Sequence, residues 1–173
     1  DSSIANVHAL QAPGRVLTMD ILADGMIDAS CYADLYYLDH LDAFLPSEAE
    51  IDRIWAPARI EDWLSATARR GKAHIVGKIG SKGSLLAEAG TGRITHVPAL
   101  NVDLKDTTGA GDAYCGGFLA GKTAGRPLLE CGVMGTVSAS FVVEAFGALA
   151  TLRPEDADRD ARYAEALSRA API

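Results

Sequence analysis

Positive charge is what this chain is short of. Sixteen Lys and Arg face 23 Asp and Glu, a formal net charge of −7. Such a balance gives no general attraction to nucleic acid or to an anionic membrane, so neither is expected as a partner. Long apolar runs are missing as well. No stretch of 18 residues is free of polar interruption, so no transmembrane helix is expected. No basic leader with an apolar core is legible, and the expected location is cytoplasmic. There are three cysteines, Cys31, Cys115 and Cys131. Odd in number and scattered through apolar settings, they read as reduced thiols, neither a disulfide framework nor a zinc site. His8, His40, His74 and His96 have no metal-ligand spacing, and no internal repeat or low-complexity tract occurs.

What is present is globular composition, 49% apolar and 23% charged. Its 173 residues are enough for one domain with a sizeable core, so a single α/β domain over 1–173 is expected. Arg15 to Asp20 reads as a short buried parallel strand ending in an acid. Residues 28–41 carry a loose helical face of Tyr32, Leu35, Tyr36, Leu38 and Leu41. Asp42 to Pro46 reads as the next strand. Ser47-Glu48-Ala49-Glu50 then opens a helix, with a serine cap and acids in the first turn. Ile60, Trp63, Leu64 and Thr67 fall at i, i+3, i+4 and i+7, an amphipathic helix ending at Arg69-Arg70-Gly71. Strands over 73–79, 84–88 and 93–97 are joined by glycine turns, which predicts antiparallel strands at the sheet edge. A helix runs from Gly111 to Gly125. A second, apolar nearly all round, spans 128–146. A charged helix over 154–170 reads as a solvated cap. Alternating strands and helices indicate an α/β sandwich: a mainly parallel sheet, helices on both sides, an antiparallel edge.

The chemistry concentrates in Lys105-Asp106-Thr107-Thr108-Gly109-Ala110-Gly111-Asp112-Ala113. Such a loop, opening a helix, points free backbone N–H groups and the positive helix end outward, toward an anion. Asp112 beside a bound anion is unfavourable for storage of phosphate. It fits a base that takes a proton from a group attacking phosphate. The motif, with Ala-Tyr-Cys-Gly-Gly-Phe-Leu-Ala-Gly after it, resembles the second signature of the ribokinase-like carbohydrate kinases, the PfkB family. The resemblance implies a three-layer ribokinase-like sandwich. It covers roughly residues 14–153 and matches the C-terminal portion of such a protein. The N-terminal substrate and lid portion is not expected in this chain.

The resemblance also implies roles. Asp112 would be the general base, and the amides of Gly109, Ala110 and Gly111 the anion hole. Lys78-Ile79-Gly80-Ser81-Lys82-Gly83 is similar to the family's Lys/Thr-x-Gly-x-x-Gly turn beside the nucleotide, so Lys78, Gly80 and Gly83 are expected to touch ATP. Pro46-Ser47-Glu48-Ala49-Glu50 is similar to the family's Pro-Asn-x-x-Glu. Glu50 would help hold Mg2+ through water, and Ser47 replaces the usual asparagine near phosphate. Gly147-Ala148 would border the adenine pocket. Asp106 and Thr108, with carbonyls near Ala145, Gly147 and Thr151, would hold a monovalent cation, K+; Thr108 also counts among the nucleotide contacts. The implied activity is ATP-dependent transfer of the γ-phosphate to a hydroxyl of a sugar or sugar acid. The other reading is a truncated, non-catalytic fragment that binds nucleotide or a partner, and a homodimer stays open. Gly116 to Thr123 satisfies G-x-x-x-x-G-K-[ST], but a P-loop must follow a strand and open a helix. Here the pattern lies inside an expected helix, so Lys122 reads as a C-terminal-turn lysine.

Overall fold

In the computed structural model, residues 7–22, 29–148 and 155–173 are described. The chain divides into two compact units, one of Asp1–Lys78 with Ala87–Ile94 and one of Ile79–Leu86 with Thr95–Ile173.

The first unit is built on three parallel strands, β1 (Thr18–Met19), β2 (Ala43–Phe44) and β3 (His74–Lys78). Thr18 faces Ala43 and Met19 faces Phe44; Ala43 faces His74 and Phe44 faces Ile75. Hydrogen bonds continue the pairing past the strand ends, from Leu45 N–H to the Met19 carbonyl (2.8 Å) and from Lys78 N–H to the Pro46 carbonyl (3.0 Å). The strand expected over 15–20 therefore survives as a short core of two residues. Helix α1 (Glu48–Trp55) starts at Ser47, the expected serine cap, and the structure adds a full capping box with Glu50. Helix α2 (Ile60–Arg69) buries Leu64, Thr67 and Ala68, and Leu64 packs over Gly77 of β3.

The helix expected over 28–41 does not form among its described residues. Two 3-10 turns, Ala29–Tyr32 and Tyr36–His40, stand there, separated by Leu35 with φ 58°. A left-handed leucine ends any α-helix. Burial is the physical reason: Tyr37 is fully buried, edge-on to both Phe44 and Tyr32, and Leu38 and Leu41 join it. Tertiary packing of an aromatic cluster outweighs a loose local periodicity.

The second unit contains most of β4 (Ser84–Ala87) and of β5 (Ile94–Val97), with β6 (Ala171–Pro172). β5 and β6 pair antiparallel, Thr95 with Pro172 and His96 with Ala171. Two helices dominate it, α3 (Ala110–Thr123) and α4 (Leu128–Val142). They approach closely because small residues line the contact. A Cβ on Gly117 would lie 2.5 Å from the Met134 carbonyl oxygen. Tyr114 of α3 is buried and donates its hydroxyl to Ser84 Oγ at 2.9 Å. Burial pushes that phenol well above the usual tyrosine range. The P-loop look-alike lies wholly within α3 and is helix, as argued from its neighbours.

Helix α4 stops at Val142, four residues short of the expected end. The Val143 carbonyl is taken by the N–H groups of Lys105 (2.8 Å) and Asp106 (3.3 Å). Gly147 N–H, which would continue the helix, donates to Asp106 Oδ2 at 2.9 Å instead. The last helix, α5 (Asp156–Arg169), is more than a solvated cap. Arg162 is half-buried, bonded to Glu144 (2.7 Å) and Ser140 Oγ (3.0 Å), and lies 3.9 Å over the Phe141 ring. Among the described residues, no helix is long and apolar enough to cross a membrane. None of the three cysteines is in a disulfide.

Two neighbouring glycines of α3 test the packing. Gly117→Ala drives a methyl into backbone and is expected to cost roughly 1–3 kcal/mol of stability. Gly116 has open space around it, so Gly116→Ala is expected to stabilise by roughly 0.5–1 kcal/mol. Urea unfolding of both variants would show opposite shifts of midpoint; equal shifts would refute the close α3–α4 contact.

Candidate functional site

The loop before α3 is held by one carboxylate. Asp106 Oδ1 accepts the Thr108 N–H (2.9 Å) and the Thr108 hydroxyl (2.8 Å), and Oδ2 accepts the Gly147 N–H. The Thr108 N–H first, then the Gly147 N–H and the Thr108 hydroxyl, hold its carboxyl below the usual aspartate range. Three expected site residues, Asp106, Thr108 and Gly147, are thereby brought together. Ala145 is half-buried in the turn that follows α4. Thr151 lies outside the described residues.

Gly109 caps α3 in the left-handed region, with φ 80°. A side chain there would be strained and would meet Ala148, whose Cβ lies 2.5 Å from the position of a Cβ. The Ala110 N–H donates to the Thr107 carbonyl at 3.1 Å. The N–H groups of Gly109 and Gly111 have no backbone acceptor among the described residues, and Gly111 and Asp112 are exposed. Asp112 stands in the first turn of a 14-residue helix and has no hydrogen-bond or ion-pair partner among the described residues. An open carboxylate beside open amides at the positive end of a helix is the geometry that an anion site with a base beside it requires.

The turn Ile79–Gly83 also belongs to the second unit. Ile79 N–H donates to the Gly83 carbonyl (2.9 Å) and Gly83 N–H to the Gly80 carbonyl (2.9 Å). Gly80 and Gly83 both have positive φ, 60° and 102°. A Cβ on Gly83 would sit 2.1 Å from the Val97 carbonyl oxygen, so packing alone demands glycine there. Gly80 is exposed and has open space where a Cβ would stand.

In the first unit the remaining candidates gather at the carboxyl ends of the parallel strands. Ser47 pairs with Lys78 through an isolated parallel bridge. Glu50 Oε2 accepts the Ser47 N–H (2.6 Å) and hydroxyl (2.7 Å). Its other oxygen, Oε1, takes no hydrogen bond among the described residues. The Lys78 ammonium donates to Asp20 Oδ2. Sequence reasoning had left Asp20 as the acid ending an apolar run. The signal that could have found it is topological: β1 and β3 are both parallel to β2, which puts the two strand ends on the same side. The half-buried Arg162 was missed too, since its helix reads as a charged, solvated cap.

A model of the pfkB family carbohydrate kinases matches residues 7–155. An uncharacterized sugar kinase of Archaeoglobus fulgidus is 34% identical over 114 residues, 64% of this chain and 43% of that protein. The 2-dehydro-3-deoxygluconokinase of Escherichia coli K12 is 33% identical over 110 residues, 62% of this chain and 35% of that protein. The crystal structure of adenosine kinase from Sinorhizobium meliloti superposes with a TM-score of 0.74 at 27% identity, over 93% of this chain and 49% of that one. The chain therefore spans less than half the length of these curated relatives. Its fold is the ribokinase-like α/β fold, a mixed sheet with parallel inner strands and helices. By the extent of the family match and by these relatives, the chain belongs to the pfkB family of carbohydrate kinases.

Proposed function

We propose that this chain is the nucleotide-binding and catalytic-base portion of a kinase that moves the γ-phosphate of ATP to a hydroxyl of a sugar or sugar acid. The observation that carries the reading is Asp112, exposed and unpartnered among the described residues, in the first turn of α3 beside open amides. Asp112 takes the proton of a primary hydroxyl as that oxygen attacks phosphorus in line. The bond to the β-phosphate oxygen breaks and ADP leaves. The Gly109–Gly111 amides receive the charge of the transferred group. Gly109 and Gly111 serve in the present geometry, and Ala110 joins if its N–H leaves the Thr107 carbonyl. Catalysis is then mainly positioning and charge stabilisation.

Gly80 and Gly147, with open space where a Cβ would stand, supply close backbone approach to the nucleotide; Gly83 holds the turn that presents Gly80, Thr108 counts among the nucleotide contacts, and Lys78 and Ser47 serve its phosphates. Glu50 suits Mg2+ held through water, since Oε1 remains open while Oε2 secures the cap. Magnesium, when bound, neutralises phosphate charge. The set Asp106, Thr108 and the carbonyls of Ala145 and Gly147 is all oxygen, which suits a monovalent cation such as K+; Thr151 completes that set in the sequence reading. The second reading, a fragment that binds without catalysing, draws on the chain's span of under half its relatives.

Calorimetric titration with Mg-ATP in potassium buffer separates the cases. Saturable binding is expected in the wild type and its loss in Gly111→Asp; a folded wild type that binds nothing would overturn the site. Asp112→Asn is expected to keep ATP affinity within about twofold while phosphoryl transfer falls by about 10²-fold or more. Equal turnover in that variant would remove Asp112 from the base role, and binding without turnover in the wild type would favour the fragment.

Asp106 yields a pH prediction. Its folded carboxyl lies below the unfolded value, so its stabilisation is full above the ordinary aspartate range and is lost as pH falls through the lowered value. The stability difference between wild type and Asp106→Asn is expected to be largest near neutrality and to shrink below about pH 4. Urea unfolding across that range would measure it, and a difference that grows in acid would contradict the hydrogen-bond scheme.

A further inference from the structure

Helix α5 has little apolar grip, since of its residues only Ala166 is buried outright. Its hold on the end of α4 centres on Arg162, whose side chain is 16% exposed. Nη2 donates to Glu144 Oε2 at 2.7 Å, and Nη1 donates to Ser140 Oγ at 3.0 Å. Ser140 spends its own proton on the Val137 carbonyl at 2.7 Å, so its oxygen is left to accept. Within α5, Nε donates to Asp158 Oδ1 at 3.3 Å. The guanidinium lies 3.9 Å over the Phe141 ring. A planar fork held at this many points fixes direction as well as distance, which a lysine ammonium does not.

Glu144 stands just past the end of α4, at the negative end of that helix, where an acid is unfavourable and a cation is wanted. Arg162 supplies the cation. The residues beside Glu144 meet the loop before α3. The Val143 carbonyl accepts from Lys105 and Asp106, and the Gly147 N–H donates to Asp106. The turn 143–147 is therefore held from two sides, by Asp106 and by Arg162. Asp106 also accepts from Thr108, the residue before Gly109. We infer that Arg162 is a positioning residue: through Ser140, Phe141 and Glu144 it fixes the turn 143–147, and so the loop that aims the Gly109–Gly111 amides. The inference rests on the reading of those amides as the phosphate site. Without the fork, the turn keeps its bonds to Asp106 but loses its backing. The loop must then be ordered by the incoming anion, which costs affinity.

The test combines amide hydrogen exchange by NMR with calorimetric titration with Mg-ATP, both on the 173-residue chain. Arg162→Met is expected to quicken exchange about tenfold at the Lys105, Thr108 and Gly147 amides and to weaken Mg-ATP about tenfold. Phe118 and Leu119, in the middle of α3, are expected to keep their wild-type rates. Arg162→Lys, which keeps a charge near Glu144 without the fork, is expected to recover part of the loss. A merely structural Arg162 would quicken α3 and the loop alike. If Arg162→Met does not fold by circular dichroism, Arg162→Met with Glu144→Gln leaves no unpaired acid at the helix end and carries the same expectation. Uniform quickening, unchanged exchange at Thr108 and Gly147, or unchanged Mg-ATP affinity in a folded variant overturns the inference and leaves the nucleotide site standing. A wild type that binds no Mg-ATP overturns both.

Discussion

The second unit depends on the hydrogen bonds of one carboxylate. Asp106 accepts from Thr108 twice and from Gly147 once. The same segment's amides take the Val143 carbonyl. These bonds end α4, since the carbonyl and the amide that would form its next turn are both spent elsewhere. They also settle the loop that delivers Gly109 in its left-handed conformation, and so the direction in which α3 starts. A helix end is useful only where its open amides are aimed. Here the aim comes from a side chain reaching across 41 residues of sequence.

Behind that loop, the position of α3 is set by close packing. Gly117 meets the backbone of α4, and Tyr114 spans to Ser84 on β4. A buried phenol and a buried serine satisfy one another, which costs less than burying either alone. The first unit uses a different device. Its parallel strands bring an acid, a capping box and a lysine to one edge, and backbone pairing rather than packing decides which of them meet. Chemistry-bearing residues thus stand on rigid element ends in both units, the arrangement open α/β sheets generally use for ligands.

Much of this was legible in the chain. The Asp-Thr-Thr-Gly-Ala-Gly-Asp run announces a helix start with an acid in its first turn, because glycine, helix dipole and acid are local matters. Ser47 to Glu50 declares its serine cap and helix start for the same reason. The i, i+3, i+4, i+7 face of 60–67 and the glycine turns between β3, β4 and β5 were read correctly, since their periodicity or turn chemistry is self-contained. Residues 28–41 were misread because Leu35 turns left-handed under the pull of Tyr37 toward the aromatic cluster, and local pattern carries no trace of that pull. The end of α4 was misplaced by the distant demand of Asp106.

Local determinants, which are caps, glycine at positive φ, and amphipathic period, were therefore set by the sequence itself. They suffice for the helix starts, for the α/β class and for the signature that places the chain in its family. Which acid meets which donor was decided only by tertiary structure. Asp20 finds Lys78 because β1 and β3 are both parallel to β2, and Asp106 finds Gly147 because α4 returns the chain to the loop. Such pairings join residues 58 and 41 positions apart, and only the folded backbone supplies the proximity that electrostatics and hydrogen bonding need.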